Sequence, residues 1–191
     1  MNLRTDAISR TRRAALAARR ALTRDTRARF SRLITERVWH THEFMACRTI
    51  ACYLPADDEV DAMPVIARAW RAGKAVFAPV AGENFQMTFH RLSPDTPLAR
   101  NRYGLWEPVS GRRIAPDKID LVVTPVVAFD RHRHRIGMGS GYFDRCFSFL
   151  KHRKHWLRPK LLGLAFECQR VGNITPNAWD IRLYKVVTER R

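Results

Sequence analysis

Three glycines recur at every second position between 137 and 141, in the run Arg135-Ile136-Gly137-Met138-Gly139-Ser140-Gly141-Tyr142-Phe143-Asp144. Without a Cβ, such a turn can bend sharply and bring its backbone N–H groups against phosphate oxygens. A helix expected from Tyr142 to Lys151 would add its positive N-terminal end to the same place. Arg135 before the turn and Arg145 after it can supply mobile positive charge. Asp144 stands where a carboxylate can hold a Mg²⁺ ion bridging phosphates. The spacing fits neither common phosphate loop: no acidic residue follows at dinucleotide-fold distance, and no lysine follows as a P-loop requires. A turn that only joins a strand to a helix explains the same glycines, so local chemistry leaves both readings open.

The other reactive side chains point to bland roles. Cys47, Cys52, Cys146 and Cys168 lack a C-x-x-C spacing and read as buried apolar thiols in a reducing compartment. His132, His134, His152 and His155 sit among arginines and lysine and read as a solvated basic face rather than a zinc site. The formal charge is +17, spread from Arg4 to Arg191. That balance suits anionic ligands and leaves a basic RNA-binding module as an alternative, although no RNA-recognition signature is present. No apolar run approaches the roughly 20 residues of a membrane span. The arginine-studded N-terminus has no apolar signal-peptide core and carries Asp6 early, so a cytoplasmic protein is expected.

The elements that must position these residues follow from periodicity. Residues 7–21 read as a partly packed helix. A second helix, capped by Thr23 or Asp25, turns Phe30, Leu33, Ile34 and Val38 to the core. Strands are expected at 48–54, 75–78, 86–92, 119–124, 161–166 and 184–188, the continuous run 119–124 being typical of a central parallel strand. Asp61 caps a helix through Ala72, with Pro64 in its first turn and Gly73 at its end. Residues 93–118 read as long loops. The alternation implies an α/β fold: a single-domain, three-layer α/β/α sandwich over residues 1–191 with a mostly parallel central sheet.

The wider context narrows the choice. Asp120 to Asp130 followed by Arg135 to Arg145 closely resembles the 5-formyltetrahydrofolate cyclo-ligase (methenyltetrahydrofolate synthetase) family. So do the arginine-rich first helix, Tyr53-Leu54-Pro55 with Glu59-Val60-Asp61, Gly104-Leu105-Trp106-Glu107-Pro108, Trp179-Asp180 and Val186-Val187-Thr188. Ordered agreement of this many short motifs is more specific than any one of them. The resemblance implies a ligase of folate one-carbon metabolism that uses Mg·ATP to convert 5-formyltetrahydrofolate to 5,10-methenyltetrahydrofolate, releasing ADP and phosphate. It implies a phosphorylated formyl group, an iminium phosphate, as intermediate. Positioning and charge neutralisation dominate such a transfer.

By the resemblance, Arg135 and Tyr142 take catalytic roles. Ser9, Arg10, Arg13 and the stretch Arg135, Ile136, Gly137, Met138, Gly139, Ser140, Gly141, Tyr142, Phe143 meet ATP. Leu54, Glu59 and Met138 to Tyr142 meet the folate, and Asp144 and Asp180 hold Mg²⁺; Trp106, an aromatic in a loop, is a further substrate-binding candidate on its own chemistry. Glu59 would accept hydrogen bonds from pterin N–H groups. Trp106 would stack on a substrate ring or cover core beside Pro108; Glu107 reads as a loop cap. The chain departs from the family pattern at Ser9, where lysine is usual, at Phe143, where tyrosine is commoner, and at Arg131-His132-Arg133-His134, which replaces a glycine-containing turn. Imidazoles there would make ATP affinity pH-sensitive. A formyl-folate, polyglutamylated or not, is the expected partner, and a monomer the expected state. The competing enzyme reading is another α/β activity without ATP, such as a sugar-phosphate isomerase or acyl-CoA transferase.

Overall fold

Alternation along the central strands decides which face each covers. The structure, a computed structural model, describes residues 3–153 and 158–190. The chain runs α1 (Leu3–Ala21), α2 (Arg24–Trp39), α3 (His42–Ala46), β1 (Thr49–Cys52), α4 (Met63–Arg71), β2 (Ala75–Ala81), β3 (Met87–Arg91), β4 (Leu98–Arg100), β5 (Trp106–Pro108), β6 (Arg113–Ile114), β7 (Leu121–Pro125), β8 (Ala128–Phe129), β9 (Arg135–Ile136), α5 (Tyr142–Cys146), β10 (Lys160–Leu164) and β11 (Lys185–Val187). Seven strands form one sheet in the order β11-β10-β7-β1-β2-β3-β6. Its first five strands are parallel, and β3 and β6 are added antiparallel at one edge. The mostly parallel α/β sheet expected from the sequence is therefore present.

On one face Ile50, Cys52, Val76, Ala78, Leu121, Val123, Leu162 and Leu164 pack against Ile34 and Val38 of α2, Phe44 of α3 and Val65, Ile66 and Ala69 of α4. On the other, Ala51, Phe77, Val122 and Leu161 pack against Phe147 and the half-buried Phe143, Phe149 and Leu150. Burying both faces explains why these strands read as continuous apolar runs. Thr23 caps α2 through its side chain, accepting from the Thr26 N–H. Asp61 accepts from the Met63 N–H at 2.9 Å and so stands one residue before the cap position. A small third cluster seats Ala15 and, in part, Ile8 and Leu16 of α1 on Val127, Ala128, Ile136 and Ile174.

Several expectations are corrected. The long helix expected from Tyr142 to Lys151 is a five-residue α5 followed by a 3-10 turn at Ser148–His152. A continuous α-helix would turn Phe147 and Phe149 about 200° apart; the break lets both rings reach the core, 6.1 Å from each other. Residues 93–118 hold the β4–β5 hairpin and β6 rather than loops alone. Asn101 builds that hairpin turn: its Oδ1 accepts from the Tyr103 and Leu105 N–H groups, and Gly104 takes φ +75°. Leu33 is exposed, because α2 already fills its core stripe with Ser31, Ile34, Thr35 and Val38. Cys168 is exposed and Cys146 half-buried, so the thiols are not uniformly core; all four are free. No helix among the described residues is long and apolar enough to cross a membrane. His155 lies outside the described residues.

Candidate functional site

Ligands of open α/β sheets bind beyond the carboxyl ends of the parallel strands, and four segments converge there. The segment after β1 carries Leu54 and Glu59. Gly82 follows β2, and the β8–β9 hairpin leads into the glycine turn. Across them lies α1, whose Arg12 and Arg19 are two turns apart on one stripe, about 10 Å by helical rise.

The glycine turn is held from below and from both sides. Gly139 and Gly141 have φ +112° and +70°, values that side-chain-bearing residues rarely adopt. At Gly141 a Cβ would also meet Nη1 of Arg145 at 3.0 Å, so this glycine lets Arg145 fold back and donate to the Ser140 carbonyl. From α1, Arg12 Nε donates to the Gly137 carbonyl at 2.8 Å. Below, buried Asp130 accepts from the backbone N–H groups of His132, His134 and Ile174 and pairs with His134 Nδ1 at 2.9 Å. Burial alone would raise its pKa, but the Ile174 and His134 donors hold it below the usual carboxylate range.

Tyr142 closes the far side. Its hydroxyl donates to the Gly82 carbonyl at 3.1 Å, accepts from Arg102 Nη2 at 2.7 Å and lies 3.3 Å from the Tyr103 hydroxyl. Phe85 and Tyr103 pack on its ring at centroid distances of 5.8 and 6.3 Å. The shared phenolic hydrogen bond splits the pair, raising the pKa of Tyr142 and lowering that of Tyr103.

Arg135 is buried to 5 % side-chain exposure, donating to the Ile181 carbonyl at 2.6 Å and to Asp144 Oδ1 at 2.9 Å. The same Asp144 oxygen accepts from the Ile181 N–H, which sets Asp144 beside the residue that follows Asp180. Asp180 Oδ2 accepts from the Asn177 backbone. Each carboxylate thus commits one oxygen and leaves the other unbonded among the described residues. That donor set fits Mg²⁺, which takes one or two carboxylates and completes its shell with phosphate and water. Glu59 Oε2 accepts from the Ala56 N–H, and Arg19 Nη1 lies 3.8 Å from its other oxygen. Burial raises the Glu59 pKa despite the Ala56 N–H and Arg19. Asp58 beside it is held low, because Arg19 outweighs the effect of burial.

Other expected site residues contribute differently. Ile136 and Leu54 are buried in core clusters, and Phe143 stacks on Phe147 at 6.2 Å, so only their backbones can face a ligand. Met138 is exposed. Ser9 is half-buried, whereas Arg10 and Arg13 are exposed and leave Arg12 as the N-terminal cation on the turn. Trp106 is exposed on the hairpin with the Arg100 guanidinium 4.9 Å from its ring. Glu107 accepts from Ala81 N–H and Asn101 Nδ2, which is the loop-cap role expected of it. Sequence reasoning missed Arg12, Arg19, Arg102, Tyr103 and Asp130. The first two were recoverable, since Ile8, Arg12, Ala15 and Arg19 share one helical stripe.

The model of the 5-formyltetrahydrofolate cyclo-ligase family matches residues 4–189. The chain is 34% identical over 177 residues to the 5-formyltetrahydrofolate cyclo-ligase of Escherichia coli K12, covering 89% of this chain and 93% of that protein. It is 31% identical over 160 residues to the Haemophilus influenzae protein of that name, covering 81% and 82%. The NMR structure of Aquifex aeolicus 5,10-methenyltetrahydrofolate synthetase superposes with a TM-score of 0.81 at 30% identity, covering 96% of this chain and 90% of that one.

Proposed function

The chain belongs to the 5-formyltetrahydrofolate cyclo-ligase family, and from that membership we propose how its crevice serves the reaction. The enzyme converts 5-formyltetrahydrofolate to 5,10-methenyltetrahydrofolate with consumption of ATP. One observation carries the assignment of the site: the glycine turn, the segment at Glu59 and α1 meet at the carboxyl ends of the parallel strands.

In this reading the backbone from Gly137 to Tyr142 holds the triphosphate, and Met138 and Tyr142 separate it from the folate. Glu59 accepts from the pterin N–H groups and so orients the ring. The γ-phosphoryl group moves to the formyl oxygen, N10 attacks the formyl carbon and loses its proton, and the C–O bond breaks as phosphate leaves. The chain's part is to align these groups and exclude water. Asp144 and Asp180 would hold Mg²⁺, which supplies charge neutralisation to the phosphates. Arg135 acts by positioning Asp144. The enzyme works as a cytoplasmic monomer; its free cysteines and short, basic sheet edges at Lys185 and Arg113 support this. A glutamyl tail on the substrate would meet a strongly basic surface.

Mixing folded protein with Mg·ATP and 5-formyltetrahydrofolate should produce the near-ultraviolet absorbance of the methenyl product, with ADP formed in equal amount. Absence of both products from the folded protein would remove the assignment.

A further inference from the structure

Arg19 is buried, at 3 % exposure, whereas Arg10, Arg13 and Arg20 on the same helix are exposed. A buried guanidinium is costly unless it is paired. Its Nε and Nη2 donate to one oxygen of Asp58 at 3.2 and 2.9 Å, and Arg20 Nε adds a third donor to that oxygen at 3.3 Å. The remaining Nη1 lies 3.8 Å from Glu59 Oε1, too far for a hydrogen bond but close enough for attraction between full charges. Glu59 spends its other oxygen on the Ala56 N–H at 3.1 Å. Oε1 thus keeps its lone pairs open among the described residues.

Two adjacent carboxylates in one enclosed place do not both stay charged without a cation. Asp58 has the guanidinium donors and the greater side-chain exposure, 24 % against 13 % for Glu59, so Glu59 is the one that would take up a proton. A protonated Glu59 would present a hydroxyl donor to the pterin amino and amide N–H groups, which are donors themselves. The other titratable groups nearby bring no positive charge. Tyr53, just after β1, donates its hydroxyl to the Val60 carbonyl and faces Glu59 and Asp61, and Cys168 stands near Arg19 in the turn at Glu167–Gln169. The cation facing Glu59 is Arg19.

We propose that Arg19 is a positioning residue for the folate: it spends its hydrogen bonds on Asp58 and holds Glu59 ionised through space, which leaves a charged carboxylate oxygen open to the substrate. The proposal rests on the reading of Glu59 as the acceptor of the pterin N–H groups. Asp58 anchors the guanidinium and repels the Glu59 charge, so Arg19 and Asp58 act on Glu59 with opposite sign.

The pH dependence of the folate KM in wild type, Arg19→Gln, Arg19→Lys, Asp58→Asn and Glu59→Gln tests this, each at a temperature where it is folded. Arg19→Gln keeps a donor for Asp58 but no charge, and should move the acid limb up by about one pH unit or more. Arg19→Lys keeps the charge and should lie nearer wild type. Asp58→Asn should move the limb down, and the KM for ATP should stay unchanged in all three. A carbon-13 NMR titration of labelled glutamate carboxyls, with Glu59 identified by its loss in Glu59→Gln, should show the same opposite displacements without substrate. An Arg19 that serves folding alone would lower melting temperature and kcat at every pH and leave the limb in place. A wild type without an acid limb, or a limb that Glu59→Gln retains, would remove the reading of Glu59 and the proposal together. A limb lost in Glu59→Gln but unmoved in Arg19→Gln, or moved the same way in Arg19→Gln and Asp58→Asn, would overturn the role of Arg19 alone.

Discussion

Glu59 and Arg135 show how burial changes what a charged side chain is for. Glu59 is enclosed beneath Arg19 and has a raised pKa, so it protonates at higher pH than an ordinary carboxylate. If its charged form binds the pterin, KM for the folate should rise toward acid, with its limb above the ordinary glutamate pKa of about 4.3. In Glu59→Gln that limb should vanish and KM should stay high at every pH, while ATP affinity is kept. Arg135 and Asp144 form a largely buried pair, and removing one partner of such a pair costs about 3 kcal/mol. Arg135→Met should therefore lower the melting temperature by roughly 6–12 °C in a domain of this size. Asp144→Asn keeps an oxygen for Arg135 and the Ile181 N–H but leaves the buried guanidinium without its counter-charge, so it too should melt below wild type and is compared at a temperature where it is folded. Its half-saturating Mg²⁺ should nevertheless rise by at least the roughly 10-fold that a metal's outer-shell partners are worth. A variant with unchanged Mg²⁺ dependence would remove Asp144 from the metal site.

At the scale of elements, the glycine turn depends on what carries it. The β8–β9 hairpin is only two residues per strand, and Asp130 at its base binds three backbone N–H groups from two segments. Asp130→Asn cannot reproduce this acceptor set and should cost about 2–3 kcal/mol at neutral pH. The sign with pH follows from its depressed pKa. The contribution is fully present above the unfolded-state value of about 3.9 and is lost as pH falls through the lower folded-state value. Melting curves of wild type and Asp130→Asn should accordingly converge on acidification below about pH 4; a constant gap would show that Asp130 acts through packing alone. The β4–β5 hairpin presents a parallel case. Its turn chemistry, Asn101 with Gly104, was visible in the sequence, but three-residue strands are too short to show a period.

For the whole molecule the question is how a net charge of +17 serves a small-molecule enzyme. A cavity of about 440 Å³ lined by Arg91, Arg112, Arg113, Phe77 and Thr49 lies by the amino ends of β1 and β2, away from the glycine turn. Much of the excess charge thus stands outside the crevice and should attract polyanions without specificity. RNA association should fall about 10³-fold or more between roughly 50 and 200 mM salt if six or more phosphates are contacted, while cyclisation persists. RNA binding that survives such salt in a protein without cyclisation would favour the RNA-binding alternative. The sequence by itself determined the sheet strands other than β6, the first two helices, the glycine turn and the family, because continuous apolar runs, helical stripes and ordered motifs are local signals. Only the tertiary structure decided which charges are available. Arg135 and Asp144, nine residues apart, consume one another around Ile181, whereas Arg12 reaches the Gly137 carbonyl from the first helix and Arg102 reaches the Tyr142 hydroxyl from the β4–β5 hairpin. Pairing depends on the packing of α1, the hairpin and the turn against one sheet end, and no spacing along the chain encodes it.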